Sequence, residues 1–298
     1  MSTPLVKLNP SVINGETTIR HIVISGGAIS GLSFYGTLRE LHKQNYWKIE
    51  NIQTIYGTSV GSLIAVVIAL GYEWSDIDDY FIKRPWQHIF KIDTYSMIDY
   101  IINKMGIYNN KIIEEALQPL FAGKDIPIDI TLKEFYELNG IEIHSFTTEL
   151  NSFSLVDMSY KTHGDWRVVD VIYCSCCLPV IFMPFLHNEE AYGDGGFLSN
   201  YPLEQCIENG GVSDEILGIY RINYSKYSAI NKDSTIFDYL MVILNQTIEK
   251  IVICPKLLSI GIECALEATP MTLDSLHQIT SNQEERKRVI EMGTNFAV

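Results

Sequence analysis

The eight residues Ile55-Tyr56-Gly57-Thr58-Ser59-Val60-Gly61-Ser62 leave a folded chain very little choice. Upstream, Ile49 to Tyr56 alternates apolar and polar side chains with the period of a strand. Downstream, Leu63 to Leu70 is wholly apolar and stops at Gly71, as a buried helix does. Passing from strand to helix in so few residues forces a sharp turn, in which a side chain at Gly57 or Gly61 would strike neighbouring backbone. Ser59 sits at the bend, where strained dihedrals hold it at the end of the strand. Gly-x-Ser-x-Gly at such a junction has the form of the nucleophile elbow of acyl hydrolases. A helix-capping serine between two permissive glycines has the same spelling, so the choice rests on what else the chain supplies.

The preceding strand supplies a second piece. His21-Ile22-Val23-Ile24 is short and β-branched, and Ser25-Gly26-Gly27-Ala28-Ile29-Ser30-Gly31 follows at once. Leu32, Phe34, Tyr35, Leu38 and Leu41 then recur at helical spacing to about His42. A glycine loop that opens a helix leaves backbone N–H groups unpaired, with the positive end of the helix dipole behind them, and so suits an anion. The anion is either a nucleotide phosphate or the oxyanion of an acyl-transfer intermediate. The nucleotide reading expects Gly-x-Gly-x-x-Gly and an acidic residue at the end of the next strand, and the chain has neither. That next strand ends instead in Ser59, so two adjacent parallel strands deliver an anion hole and a nucleophile to one edge of a sheet.

A third piece lies far downstream, where Tyr192-Gly193-Asp194-Gly195-Gly196 surrounds a carboxylate with three glycines. Backbone can approach closely on either side, which suits a group facing a reaction centre and equally suits an Asx turn. Between these pieces, Ile112 to Leu120 marks a helix with Gly123 beyond it, and Ile128 to Leu132 leads into a helix ending near Gly140. Ile141 to Thr148 reads as a strand, with Asn151 and Ser152 turning into Phe153 to Met158 as a hairpin. Val168 to Cys177 is a small-residue helix halted before Leu178-Pro179, and Glu215 to Tyr220 is a further buried strand. From Tyr72 to Ile102 the chain is aromatic and amphipathic, including Trp74, Tyr80, Phe81, Trp86 and Phe90. Core packing of ordinary helices is the favoured reading there, with a lid or membrane-contacting segment as the other. From about residue 235 the chain reads as mostly helical, with Phe237, Leu240, Met241, Ile243 and Leu244 on one face and shorter apolar faces at Ile251 to Ile253 and Leu257 to Ile262.

Composition narrows the partners. With 298 residues and 47% hydrophobic content, the chain can build one compact α/β domain over residues 21–298, behind an irregular leader at 1–20. A formal charge of −14, from 36 acidic against 22 basic residues, argues against nucleic acid and offers no attraction to anionic membranes. A neutral or zwitterionic substrate met through apolar contacts is easier to accommodate. Cys174, Cys176, Cys177, Cys206, Cys254 and Cys264 have no metal-like spacing and read as reduced, buried thiols. No run approaches 18 apolar residues, and Met1 to Arg20 lacks the basic-then-apolar pattern of a signal peptide. The expected location is therefore cytoplasmic, with peripheral membrane or micelle contact left open. There is no calcium loop of alternating acidic ligands, so neither metal nor cofactor is called for. Oligomeric state has no signature.

In order and in context, the glycine loop, the Ser59 elbow and Asp194-Gly195-Gly196 resemble the patatin-like phospholipase family. Ser175-Cys176-Cys177-Leu178-Pro179 is similar to that family's Ser-x-x-x-Pro segment, and the likeness runs from about His21 to Ile222. The resemblance implies a three-layer α/β/α sandwich with a mostly parallel central sheet. It also implies a metal-independent lipid acyl hydrolase, of phospholipase A or lysophospholipase type, acting on phospholipid or lysophospholipid. Carried over residue by residue, its nucleophile is Ser59, its carboxylate Asp194 and its oxyanion-hole amides those of Gly26, Gly27 and Ala28. Gly31, Gly57, Gly61, Gly195 and Gly196 shape the motifs. The family usually has glycine where this chain has Ala28, and Arg or Lys where it has Ser30. Ala28 costs about 1 kcal/mol if its φ must be positive. A catalytically silent lipid- or protein-binding member of the same fold is the alternative.

Seven histidines are available as the usual base for a serine, and none lies in a compelling motif. Only His277 could complete the order serine, acid, histidine. Asp194 is the preferred direct base, provided that an apolar setting from Tyr192, Phe197 and Leu198 raises its basicity.

Overall fold

The computed structural model describes residues 4–91, 94–222, 230–251, 259–267 and 272–296. In chain order its strands are β1 (Leu5–Leu8), β2 (His21–Ile24), β3 (Thr54–Thr58), β4 (Gly106–Tyr108), β5 (Glu142–Glu149), β6 (Ser154–Met158), β7 (Val180–Phe182), β8 (Phe185–His187), β9 (Glu190–Asp194), β10 (Ile216–Ile222) and β11 (Ile262–Glu267). The helices are α1 (Pro10–Ile13), α2 (Gly31–Lys43), α3 (Val60–Ala69), α4 (Trp74–Lys83), α5 (Thr94–Lys104), α6 (Lys111–Ala122), α7 (Leu132–Asn139), α8 (Val168–Cys176), α9 (Leu203–Glu208), α10 (Ile236–Ile251), α11 (Leu273–Ser281) and α12 (Gln283–Met292).

The main sheet runs β1-β11-β10-β2-β3-β5-β9-β8, with β6 also on β5, while β4 and β7 pair separately. Its five central strands, β11, β10, β2, β3 and β5, are mutually parallel, and the antiparallel pairings lie toward the two ends. Burial on both faces explains the near-continuous apolar runs of those strands. Alternate residues serve alternate faces. Ile22, Ile24, Ile55, Ile143, Leu217 and Ile219 enter a large core with α2, α3 and α8, whereas Val23, Tyr56, Phe146 and Ile216 enter a smaller one beneath Leu203 and Cys206 of α9. Helices thus cover both faces of an α/β/α sandwich.

Several local expectations shift. The leader is not irregular throughout: Leu5 to Leu8 forms an edge strand antiparallel to Ile262 to Ala265. Leu5 is apolar yet 55% exposed, so this strand lacks the clean alternation that marks a half-buried one. Ile49 to Asn51 forms a 3₁₀ turn, and the strand begins only at Thr54. The helical C-terminal part is interrupted by β11, so Ile262 starts a strand rather than closing a helical face. A parallel strand buried on both sides has no period that separates it from a buried helix segment. Val252, Ile253 and Leu257, and the thiol Cys254, lie outside the described residues, as do the side chains of Phe237, Leu244, Tyr95, Met97 and Ile98. In the aromatic stretch, Tyr80 and Phe81 are buried and Trp74, Trp86 and Phe90 half-buried in core contacts, while Ile102 is 71% exposed. Cys174, Cys176, Cys177, Cys206 and Cys264 are buried free thiols. Among the described residues, no helix is long and apolar enough to cross a membrane.

Candidate active site

The carboxyl ends of β2 and β3 lie side by side, with Ile24 level with Gly57. Ser59, the residue between β3 and α3, has φ 55° and ψ −126°, a conformation rarely adopted outside glycine. The space around it demands glycines. A Cβ on Gly57 would lie 2.6 Å from the carbonyl carbon of Gly61, and one on Gly61 would lie 2.3 Å from the Ile24 oxygen.

A buried set of hydroxyls holds the strained turn from below. The Ser59 N–H donates to Ser175 Oγ at 2.8 Å, and Ser175 Oγ donates to the Phe146 carbonyl at 2.5 Å. Ser62 Oγ donates to the Gly57 carbonyl at 2.9 Å and accepts from Ser145 Oγ at 2.9 Å. These partners bring α3, α8 and β5 onto one turn.

The glycine loop is more constrained than expected. The Gly26 N–H donates to the Asn200 carbonyl at 2.8 Å, so of the three amides expected to line an oxyanion hole this one is already engaged. Gly26 contributes space instead, since a Cβ there would lie 2.3 Å from Asn200 Oδ1 and 3.4 Å from Ser59 Cβ. The N–H groups of Gly27 and Ala28 have no hydrogen-bond partner among the described residues. Ala28 has φ 47°, so the positive angle is indeed demanded and the alanine carries its strain. Ser30 is fully buried and Gly31 starts α2, packed so tightly that its Cβ would lie 2.3 Å from Val60.

Asp194 ends β9 opposite Thr147 of β5, and β5 in turn places Phe146 beside Thr58 of β3. The register therefore brings Asp194 level with the residue after Thr58, which is Ser59, although 135 positions separate them. Gly195 permits this closure, because a Cβ on it would lie 2.2 Å from the Phe146 oxygen. Asp194 Oδ1 accepts the Gly196 N–H at 2.8 Å, so the Asx turn is real; it orients one oxygen and leaves the other. Among the described residues Oδ2 is buried and makes no hydrogen bond, and the residue is only 3% exposed. Burial pushes the carboxyl up to about 6, against the opposing pull of the Gly196 amide, the Ser59 hydroxyl and the Arg221 charge.

No histidine is bonded to Ser59 or Asp194 among the described residues. His21 and His144 stand toward the opposite, amino ends of β2 and β5, held by Thr54 and Asp157, and His277 is exposed on α11. No cluster of three or more metal-ligating side chains occurs among the described residues either. Sequence reasoning missed Ser62, Ser145, Asn200 and Arg221 and gave Ser175 no role. Only the Ser-x-x-x-Pro spelling flagged Ser175; the others look like any buried polar residue until the sheet assembles.

A parallel-centred α/β/α sandwich with a strained serine at a sharp strand-to-helix turn, a glycine loop alongside and a buried carboxylate level with the serine defines the class of α/β protein to which the chain belongs. Within that class the family model for patatin-like phospholipase matches residues 22–207, and the chain belongs to that family. It is 28% identical over 224 residues to a probable lipid hydrolase of Invertebrate iridescent virus 6, spanning 70% of this chain and 76% of that protein. It is 29% identical over 221 residues to an uncharacterized protein of Acanthamoeba polyphaga mimivirus, spanning 74% and 70% respectively. Among solved structures it is similar to VipD from Legionella pneumophila, with TM-score 0.49 and 16% identity over 92% of this chain and 67% of that one.

Proposed function

We propose that the protein is a lipid acyl hydrolase of phospholipase A or lysophospholipase type, cleaving carboxylic esters through an acyl-Ser59 intermediate with Asp194 as general base. The observation that carries this reading is the unpartnered Asp194 Oδ2, buried level with a serine held at φ 55°. Ser59 Oγ attacks the ester carbonyl as its proton passes to Asp194 Oδ2, and the carboxyl then returns that proton to the leaving alkoxide. The tetrahedral oxyanion takes the free N–H groups of Gly27 and Ala28, each such donor being worth about 3 kcal/mol of barrier. Water enters in the alcohol's place, gives its proton to Asp194 and attacks the acyl carbon, and Asp194 returns that proton to Ser59 Oγ as the fatty acid departs. A carboxyl held near 6 is ionised at neutral pH yet more basic than an ordinary aspartate, as this role requires.

Membership of the family and the viral lipid hydrolase relative support a lipid as the substrate. Peripheral contact with a membrane or micelle and a cytoplasmic site of action fit that reading. The test is to react the protein with an alkyl fluorophosphonate and map the adduct. Labelling at Ser59, with ester hydrolysis lost in Ser59→Ala by about 10⁴-fold, is expected. An adduct elsewhere, or full activity in Ser59→Ala, overturns it. A folded protein that takes no label is the catalytically silent member of the fold.

A further inference from the structure

The second face of the sheet is only partly covered. The six-residue α9 packs over Val23, Tyr56, Phe146 and Ile216, and toward the amino ends of the strands a polar cavity of about 600 Å³ stays open. Its floor is two rungs of the parallel ladder. His21, Thr54 and Glu142 pair across β2, β3 and β5 in one, and Tyr56 and His144 pair across β3 and β5 in the next. This is the sheet edge opposite the one that carries Ser59. We infer that the cavity is a second binding site and that its ligand is an aliphatic polyamine, with ammonium groups taken by Glu142 at one end and Glu215 at the other.

Glu142 shows what the site lacks. The residue is only 6% exposed; its Oε2 accepts from Lys161 Nζ at 2.7 Å, while Oε1 is buried and makes no hydrogen bond among the described residues. His144 Nε2 stands 3.4 Å from that oxygen. On its other side His144 Nδ1 lies 2.8 Å from Asp157 Oδ2, and because a carboxylate only accepts, Nδ1 carries the proton. A neutral ring therefore turns a bare nitrogen toward a bare oxygen. It cannot swing aside, since it lies flat on Tyr56 with ring centroids 4.2 Å apart. Two buried acceptors face to face call for a donor that reaches both, and an ammonium N–H is such a donor.

The chain itself displays the kind of group that fits. Lys161 sits on Glu142, and Arg20 sits on Glu215 at 3.3 Å; the two cationic side chains are 61% and 46% exposed. Cations so exposed are weakly held and readily displaced by a ligand carrying the same charge. Glu215 precedes Ile216, which pairs with His21, so Glu142 and Glu215 stand three strands apart, about 14 Å between backbones. One ammonium cannot reach both, whereas a chain with an ammonium at each end can. An anion is poorly served here. The Gly210 and Gly211 amides of the cavity loop already donate to the Ile207 and Cys206 carbonyls, and the carboxylates of Glu142, Asp157 and Glu215 outnumber Lys161 and Arg20.

The experiment titrates spermidine into the protein by calorimetry, and none of its readouts depends on Ser59. One site is expected, weakened at least about tenfold by Glu142→Gln, because a charge-assisted bond is lost. Lys161→Met should tighten it, since the internal competitor is gone. Terminally diacetylated spermidine, which keeps the chain and loses the end charges, should not bind. Glu215→Gln should bring spermidine down to the affinity of butylamine and leave butylamine unchanged. Asp79→Asn, which removes an exposed acid on α4, should change nothing. Absence of binding to the wild type overturns the inference. Equal binding by Glu142→Gln and Asp79→Asn does so too, because it would reduce the effect to attraction by the net charge of −14. Should Glu142→Gln not fold, Lys161→Met and Glu215→Gln decide: unaltered spermidine affinity in both overturns the site.

Discussion

Two carboxylates on neighbouring antiparallel strands show how differently one corner of a sheet can treat the same group. Glu149 ends β5 opposite Tyr192, and Asp194 ends β9 opposite Thr147, two positions away along the same ladder. Glu149 accepts from the Ser152 N–H and hydroxyl, both at 2.6 Å, and from the N–H groups of Asn151 at 3.1 Å and Ala191 at 3.2 Å. Those donors hold it down to about 2. Asp194 receives one amide, keeps one bare oxygen and is pushed up to about 6. Position in the sheet does not separate them. The number of donors aimed at each carboxylate does, because burial penalises a charge only as far as hydrogen bonds fail to replace water. A turn rich in N–H groups makes a weakly basic carboxylate, and a dry pocket with one amide makes a more basic one.

The sharpest way to break this contrast is Asp194→Asn, which keeps the acceptor for Gly196 and removes the proposed base. Ester hydrolysis should fall by about 10³- to 10⁴-fold. The folded protein should at the same time gain up to about 3 kcal/mol at pH 7, since raising a carboxyl from 3.8 to about 6 is an ionisation penalty that asparagine does not carry. Denaturant midpoints with parallel activity assays check both, and a variant that is fully active or less stable than wild type refutes the assignment.

The pH dependence separates the two groups next. On the proposed mechanism Asp194 acts in its ionised form, so kcat/KM should rise tenfold per pH unit below about 6 and level off above it. Its raised pKa contributes stability that is fully present below 3.8 and lost as pH rises through about 6. Glu149 runs the other way: its depressed pKa contributes stability present above 4.5 and lost as pH falls toward about 2. Glu149→Gln should therefore lower stability at pH 7, flatten the acid limb of the stability profile and leave the rise in activity near pH 6 in place. An activity profile that moves with Glu149→Gln would mean that the two carboxylates are coupled.

The smallest effect concerns the loop. Ala28→Gly relieves a φ of 47° and should stabilise the protein by about 1 kcal/mol without loss of turnover. An unchanged melting temperature would show that the loop relaxes the angle when alanine is present.

Much of this site is legible in the chain because tight turns restrict residue type. Gly57 and Gly61 around Ser59, and Gly195 beside Asp194, are positions where any Cβ meets backbone, so the spelling itself reports the geometry. The parallel pairing of β2 with β3 follows from two short apolar runs, each leading into a helix. The hydroxyls of Ser62, Ser145 and Ser175 were not legible, because a buried serine carries no local pattern and these three meet only through α3, β5 and α8. The edge strand at Leu5 and the strand at Ile262 were hidden for a related reason. They are defined by their partners, each being the other's neighbour across more than 250 residues.

By itself, then, the sequence determined the turns: where the strands must break, which residue stands at each break and why glycine surrounds it. These are short-range steric facts, and steric exclusion acts between near neighbours in the chain. Only the tertiary structure decided that the Gly26 amide is taken by Asn200, that Asp194 Oδ2 is left bare beside Ser59, and that a polar cavity opens over Glu142 and His144. Hydrogen-bond satisfaction, desolvation and cavity shape belong to groups gathered from distant positions, and no short stretch of sequence contains them.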